Sequence, residues 1–223
     1  MYWFKVNGVS STELGIIITK MCPSASAARD IESVEVPGRN GNLHIDNGSY
    51  KAKEVTIECN LLKVENVDRV KALLEGVISI ELSTEEGRVY QGAILNQIDM
   101  EVFSRNERLF PLQLELAPLS AGLKRVENIT SENKTIVVSG NAETAPIISV
   151  VGKGKIAINN VAFETTEEGI ILDCDLQECT RNGIDANANV VIDEFPKLFP
   201  GENKISFYSG ITSISIEYEE RWK

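Results

Sequence analysis

The chain has 223 residues, of which 43% are hydrophobic and 25% are charged, so its composition argues against disorder and leaves room for two medium-sized domains. Its formal net charge of −11 repels phosphate backbones and anionic headgroups, and we therefore expect no nucleic-acid sequence recognition. No apolar run approaches the roughly 18 residues of a membrane span and no signal-peptide pattern opens the chain, so we expect no membrane partner and synthesis in a cytoplasm.

The N-terminal half is predicted to be mostly β-strand with one helix. Apolar residues alternate with polar ones over 55–61, which places the odd positions on one face of a strand. Val64, Val67, Val70 and Leu74 repeat at helical spacing and Gly76 follows as a stop, which predicts a helix over 64–75, with Glu65 or Asn66 at its start. Further strands are predicted at 77–82, 94–102, 112–116, 134–138, 147–151 and 213–218.

Small and charged residues break the alternation over 120–128. This break predicts a boundary between domains at 1–122 and 123–223. Beyond it, short strands separated by turn residues predict a sandwich or jelly roll. The turn signals are Gly140-Asn141, Gly152-Lys153-Gly154, Asn159-Asn160, Asn182-Gly183 and Pro200-Gly201.

Catalytic groups are scarce. The only histidine, His44, lies in a polar, turn-rich stretch, and no Gly-x-Ser-x-Gly turn accompanies it, so we interpret it as a solvent-facing residue. Asp173 and Asp175 would share one face of a strand, as a carboxylate pair requires, but acidic residues more often form a solvated surface. We therefore predict no enzyme.

Metal and cofactor patterns are also incomplete. The four cysteines include no pair at zinc-site spacing, and we expect buried or free thiols, with a Cys174–Cys179 disulfide as the alternative. The segment 185–189 begins like a calcium loop, but Val190 and Pro196 occupy the positions of the turn glycine and the closing glutamate. Gly152 and Gly154 do not open a phosphate-binding helix. We predict no cofactor.

One turn-rich segment carries a family resemblance. Val36-Pro37-Gly38-Arg39-Asn40-Gly41 follows a strand predicted at 31–36, and by itself it predicts a hairpin with Arg39 exposed. Together with Gly48-Ser49-Tyr50 and the alternating strand 54–62, it resembles the N-terminal signature of the distal tail protein family of long-tailed, non-contractile bacteriophages.

The second half extends this resemblance over nearly the whole chain. Ala145-Pro146-Ile147-Ile148-Ser149-Val150 precedes Gly152-Lys153-Gly154 and the segment 156–159. The segment 195–205 is similar to a Phe-Pro-x-Leu-x-Pro-Gly-x-Asn motif of that family, and Arg221-Trp222-Lys223 resembles its aromatic and basic end. The order of these motifs makes the resemblance more specific than any one of them.

The resemblance implies a mainly β fold, with an N-terminal β-sandwich-like domain that carries one helix and a hairpin arm, and a C-terminal galectin-like β-sandwich, or jelly roll. It implies a hexameric ring hub at the virion tail tip, assembled in the bacterial host cytoplasm. The implied partners are the major tail tube protein, a tail-tip or tail-associated lysin protein, and a receptor-binding protein.

The same resemblance implies that the arm embraces a neighbouring subunit, and that the segment 36–41 leads into it. Arg39 would fork onto a neighbour's carboxylate. The predicted subunit-contact residues are Pro37, Gly38, Arg39, Asn40, Gly41 and Tyr50.

Two other functions compete with the ring hub. One is a carbohydrate-binding adhesin in which Trp222 or Tyr208 stacks on sugars of the host surface. The other is a cell-wall hydrolase that uses Asp173 and Asp175. Because the C-terminal half contains no obvious inserted carbohydrate-binding module, the resemblance favours docking of a separate receptor-binding protein.

Overall fold

The computed structural model describes residues 1–22, 26–208 and 210–223, and strands dominate them, which confirms the mainly β fold class. The chain divides into two compact units, residues 1–120 together with Lys223, and residues 121–222. The domain boundary predicted between residues 122 and 123 stays a prediction. None of the helices in the described part of the chain has the length and apolar content needed to span a bilayer.

The described residues of the first unit form ten antiparallel strands and one α-helix. The elements are β1 (Phe4–Val6), β2 (Val9–Ser10), β3 (Ile16–Lys20), β4 (Arg29–Val34), β5 (Leu43–Tyr50), β6 (Lys53–Leu61), α1 (Val67–Leu73), β7 (Val77–Leu82), β8 (Val89–Ile94), β9 (Glu101–Ser104) and β10 (Glu107–Leu116). The strand order is β2-β1-β7-β8-β10-β6-β3, and β9 also pairs with β10. The strands β4 and β5 pair only with each other.

The alternating residues of β6 point into the core of this unit, as predicted: Ile57, Cys59 and Leu61 are buried. The predicted helix is present but shorter, because a single 3₁₀ turn precedes α1. Asn66 does lie just before α1, yet its side chain does not cap the helix, since Asn66 Nδ2 donates instead to Leu14 O at 2.9 Å. Val70 and Leu74 are buried and pack α1 onto the core.

The continuous strand predicted over 94–102 is wrong. β8 ends at Ile94, and β9 begins only at Glu101. Between them, the Asn96 side chain forms two hydrogen bonds with the backbone of β10. Asn96 Nδ2 donates to Pro111 O at 3.0 Å, and Gln113 N donates to Asn96 Oδ1 at 2.8 Å. Because an asparagine side chain replaces main-chain pairing here, the chain can leave the sheet.

The second unit is built from strands β11 to β21. They are β11 (Ser120–Ile129), β12 (Asn133–Val138), β13 (Ile147–Gly152), β14 (Gly154–Ile158), β15 (Val161–Thr165), β16 (Ile170–Asp173), β17 (Glu178–Arg181), β18 (Ile184–Asp185), β19 (Val190–Ile192), β20 (Gly201–Phe207) and β21 (Ile211–Trp222). One sheet has the order β11-β21-β13-β16-β17-β18, and the other β12-β20-β14-β15-β19. Residues of both sheets share a single buried cluster, so the unit is a β-sandwich.

The segment 120–128, predicted to interrupt the strands, instead forms most of β11. Residues 123–126 are exposed on both faces of this strand, so neither face requires apolar residues and no alternation appears in the sequence. Charged side chains hold it beside β21: Lys124 Nζ lies 2.5 Å from Glu217 Oε1, and Arg125 Nε lies 3.7 Å from Glu220 Oε1.

Candidate functional site

A hairpin extends from the first unit without joining its core. We call β4, β5 and their connecting residues 35–42 the arm. The strands pair from Arg29 opposite Tyr50 to Val34 opposite Leu43. Almost every arm residue is exposed, and the buried cluster of the first unit contains none of them. The arm is therefore a surface element, and among the described residues its two strands pair only with each other.

The tip of the arm contains five of the six predicted contact residues. Arg39 N donates to Val36 O at 3.1 Å and closes a tight turn with Pro37 and Gly38 at its centre. Gly38 has φ +82° and Gly41 has φ +79°, values that favour glycine. We expected this segment to lead into the arm, but it forms the far end of the arm and connects its two strands.

The Arg39 and Asn40 side chains at this tip are exposed. None of the ion pairs among the described residues includes Arg39. A guanidinium in this situation retains its full fork of N–H donors for a carboxylate outside the unit.

Tyr50, the sixth predicted residue, lies at the base of the arm instead. Arg29 donates to Asp46 Oδ2 from Nε at 3.2 Å and from Nη2 at 2.9 Å, and its guanidinium lies 4.8 Å from the centre of the Tyr50 ring. Lys223 Nζ donates to the Tyr50 hydroxyl at 3.1 Å, and this bond is the main reason that the pKa of Tyr50 is lowered. The Gly48 N–H, followed by Arg29, lowers the pKa of the Asp46 carboxyl. Tyr50 thus stabilises the base of the arm within the chain.

The arm also has an apolar face that the sequence interpretation missed. Directly opposed residues of an antiparallel pair point to the same side, so Glu32, Val34, Leu43 and Ile45 share one face. Leu43 is 38% exposed and Ile45 is 42% exposed. The alternation of Leu43 and Ile45 with polar neighbours is the sequence pattern that could have predicted this apolar face. We call these four residues the apolar face of the arm.

The comparison with family models identifies the second unit. Residues 128–222 match the model described as "Siphovirus-type tail component, C-terminal domain". This part of the chain is similar to that family, and the match confirms the resemblance drawn from the sequence motifs.

The fold of the chain is similar to a solved structure over its full length. The match is to the crystal structure of the SPP1 Dit (gp 19.1) protein, described as a paradigm of the hub adsorption apparatus in phages that infect Gram-positive bacteria. The two share 13% sequence identity with a TM-score of 0.78, and the match covers 100% of each chain. The comparison with curated proteins found no match. Neither the family nor the solved structure is described as an enzyme.

Two of the carboxylates considered for chemistry accept hydrogen bonds that close turns. Asp173 Oδ1 accepts the N–H groups of Asp175 and Leu176, both at 3.0 Å, so it closes a turn. Asp185 Oδ1 accepts Asn187 N at 3.0 Å in the segment compared with a calcium loop. Among the described residues, no group of three or more His, Cys, Asp and Glu side chains could hold a metal ion.

The structure also gives the positions of His44, the cysteines and Trp222. His44 lies exposed on β5 opposite Ser33. All four cysteines are buried free thiols, so the alternative Cys174–Cys179 disulfide is not formed. Trp222 packs against Gly122, where an added Cβ would lie 2.3 Å from the indole Cζ3, so this part of the ring is covered within the second unit.

Proposed function

We propose that this tail component forms a hexameric ring hub at the tail tip, which connects the tail tube to the tip and receptor-binding proteins. The observation that carries the proposal is the exposed arm with its apolar face. A two-stranded hairpin is marginally stable in water when nothing packs against it. Covering Leu43 and Ile45 by a neighbouring chain would stabilise the arm and remove apolar surface from water.

A contact between the arm of one subunit and a different surface of the next is a head-to-tail contact. Such contacts close into a ring when the rotation between subunits divides a full circle. In this proposal the first domain, 1–122, forms the ring, and the second domain, 123–223, provides galectin-like β-sandwiches at its outside. The ring has no catalytic role and assembles in the host cytoplasm.

The partners follow from the position of such a hub. The major tail tube protein would bind one side of the ring, and a tail-tip or tail-associated lysin protein the other. A receptor-binding protein would dock on the second domains. The match of residues 128–222 to a tail component family and the fold shared with a hub protein support these partners.

The test is the mass of the purified full-length chain by native mass spectrometry over a range of concentrations, together with negative-stain images. We expect a species of six times the chain mass and ring-shaped particles. A variant in which Gly-Gly replaces residues 30–49 should remain monomeric and folded. A wild-type chain that is monomeric at every concentration, or an armless variant that forms the same ring, would contradict the proposal.

A further inference from the structure

Four Asn-Gly pairs occur in the chain, and all four have the groups needed for one spontaneous reaction. Glycine has no side chain, so its backbone nitrogen can approach the side-chain carbonyl carbon of the asparagine before it. Asparagine is accordingly among the chemically labile residues of proteins. The pairs are Asn7-Gly8, Asn40-Gly41, Asn47-Gly48 and Asn182-Gly183. The sequence does not rank them, whereas the structure does.

Hydrogen bonds hold both reacting groups of the pair at Asn47. The side-chain amide Asn47 Nδ2 donates to Asp30 Oδ2 at 3.1 Å. The Gly48 N–H, whose nitrogen would attack Asn47, donates to Asp46 Oδ1 at 2.9 Å. Attack at this pair must first break these bonds, which makes it slower.

Asn7 and Asn182 each lie inside a two-residue hairpin turn. Asn7 has φ +49° and Asn182 has φ +51°, and the residues that flank each Asn-Gly pair are themselves paired across the two strands. This left-handed conformation is the one that Asn-Gly hairpin turns require. Asn7 Oδ1 also accepts the Ser79 N–H at 2.9 Å. Because attack requires the asparagine to rotate about its own backbone bonds, it must disrupt the strand pairing that closes each turn.

Asn40 is restrained in neither way. The strand pairing of the arm ends with Val34 opposite Leu43, so Asn40 and Gly41 lie beyond it. Among the described residues, neither the Asn40 side chain nor the Gly41 N–H takes part in a hydrogen bond. Asn40 does not have a positive φ, and the space around Gly41 is open to 4 Å. This exposed pair can therefore sample the geometry of attack without breaking a bond of the fold.

We propose that Asn40 is a site of spontaneous deamidation. The Gly41 nitrogen attacks Asn40 Cγ, and as this N–C bond forms, the Cγ–Nδ2 bond breaks. The amide group leaves as ammonia and takes the proton of the Gly41 N–H with it. Water then adds to one carbonyl carbon of the cyclic imide, and the C–N bond at that carbon breaks, which gives aspartate or isoaspartate. Water is the only reactant consumed, and no oxidant, reductant or cofactor takes part.

The reaction changes the tip of the arm in two ways. It adds one negative charge, which takes the formal net charge of the chain from −11 to −12. This charge lies next to Arg39, which forms none of the ion pairs of the described residues. Isoaspartate also lengthens the main chain between β4 and β5. The inference goes beyond the proposed ring and does not depend on it, since only atoms of one chain react with water.

Peptide mapping tests the site. The purified full-length chain, or its monomer fraction where it assembles, is kept at pH 8 in water enriched in ¹⁸O. Mass spectrometry then follows each Asn-Gly pair, and fragment spectra separate Asn40 from Asn47. Asn40 should react at least about tenfold faster than each of the other three, because each of those must first lose a hydrogen bond. Its product should contain ¹⁸O.

Two controls show whether the fold causes this order. In concentrated urea the four pairs should react at similar rates, because their restraints are gone. In the native chain, Asn40→Gln should abolish most of the acidic species that ion-exchange chromatography detects, since the longer side chain would have to close a larger ring. Another Asn-Gly pair that reacts as fast as Asn40 in the native chain would overturn the inference, as would the same order of rates in urea.

Discussion

Replacing both tip glycines by valine should weaken assembly without unfolding either unit. Gly38 and Gly41 have φ values of +82° and +79°, and a Cβ added at either position would meet no atom within 4 Å. The cost is therefore backbone strain alone, about 1–2 kcal/mol for each residue in the left-handed region. In the free chain the exposed tip can relax into another conformation, whereas the proposed contact with a neighbour would require the native turn.

This strain should appear mainly in the association constant. Two substitutions correspond to about 2–4 kcal/mol, or roughly a 30- to 1000-fold loss of affinity between subunits. The Tm of the monomer should change little, because no core residue touches the tip. Assembly is measured by native mass spectrometry over a dilution series, and Tm by calorimetry under conditions that keep the chain monomeric.

The matched control is Gly183→Val. Gly183 has φ +75° and equally open space, but it lies in a turn of the second unit. It should strain its own turn by a similar amount and leave assembly intact. Tip variants that form rings as stable as those of the wild type would refute the assignment of the tip to the subunit contact.

Two further substitutions and one labelling experiment follow from the structure. Asn96→Ala leaves an N–H and a C=O of β10 without their side-chain partner, and should lower the free energy of unfolding by about 1 kcal/mol in urea titrations. Gly140→Ala would place a Cβ 2.3 Å from the backbone oxygen of Arg221, so we expect a loss of about 3 kcal/mol and a calorimetric Tm at least about 5 °C lower; an unchanged Tm would contradict this packing. Burial raises the pKa of the Cys59 thiol to about 12, so a thiol reagent at pH 8 should label it only after unfolding, and fast labelling of the native chain would contradict its burial.

Local patterns in the sequence predicted the parts of the fold that local physics determines. β6 alternates because one of its faces is buried, and the helical spacing of Val70 and Leu74 reflects one apolar stripe on the core. The two errors have different causes. The strand predicted over 94–102 failed because the side chain of Asn96 pairs with a strand that lies later in the chain. β11 was missed because it is exposed on both faces and so lacks any alternation.

The candidate site was predictable only in part. Turn chemistry predicted tight turns at Gly38 and Gly41, and both have positive φ values that favour glycine, whereas their role in a subunit contact stays a prediction. Sequence proximity placed Tyr50 with them, but the pairing of Arg29 opposite Tyr50 puts that ring at the opposite end of the arm. The gap between β8 and β9 could not be predicted, since it depends on the contacts of Asn96 with a strand distant in sequence.

The burial of the four thiols determines how the chain responds to oxidants. In the ring proposed above, the chain would be made where reductants are abundant and later exposed to air-saturated surroundings. Thiolate is the form that reacts with oxidants, and burial raises the pKa of the thiols of Cys22, Cys59, Cys174 and Cys179. The fold should therefore pass between these surroundings without gaining or losing a covalent bond, and a particle released from its host should keep the same tail whether it meets a new cell within minutes or after long storage.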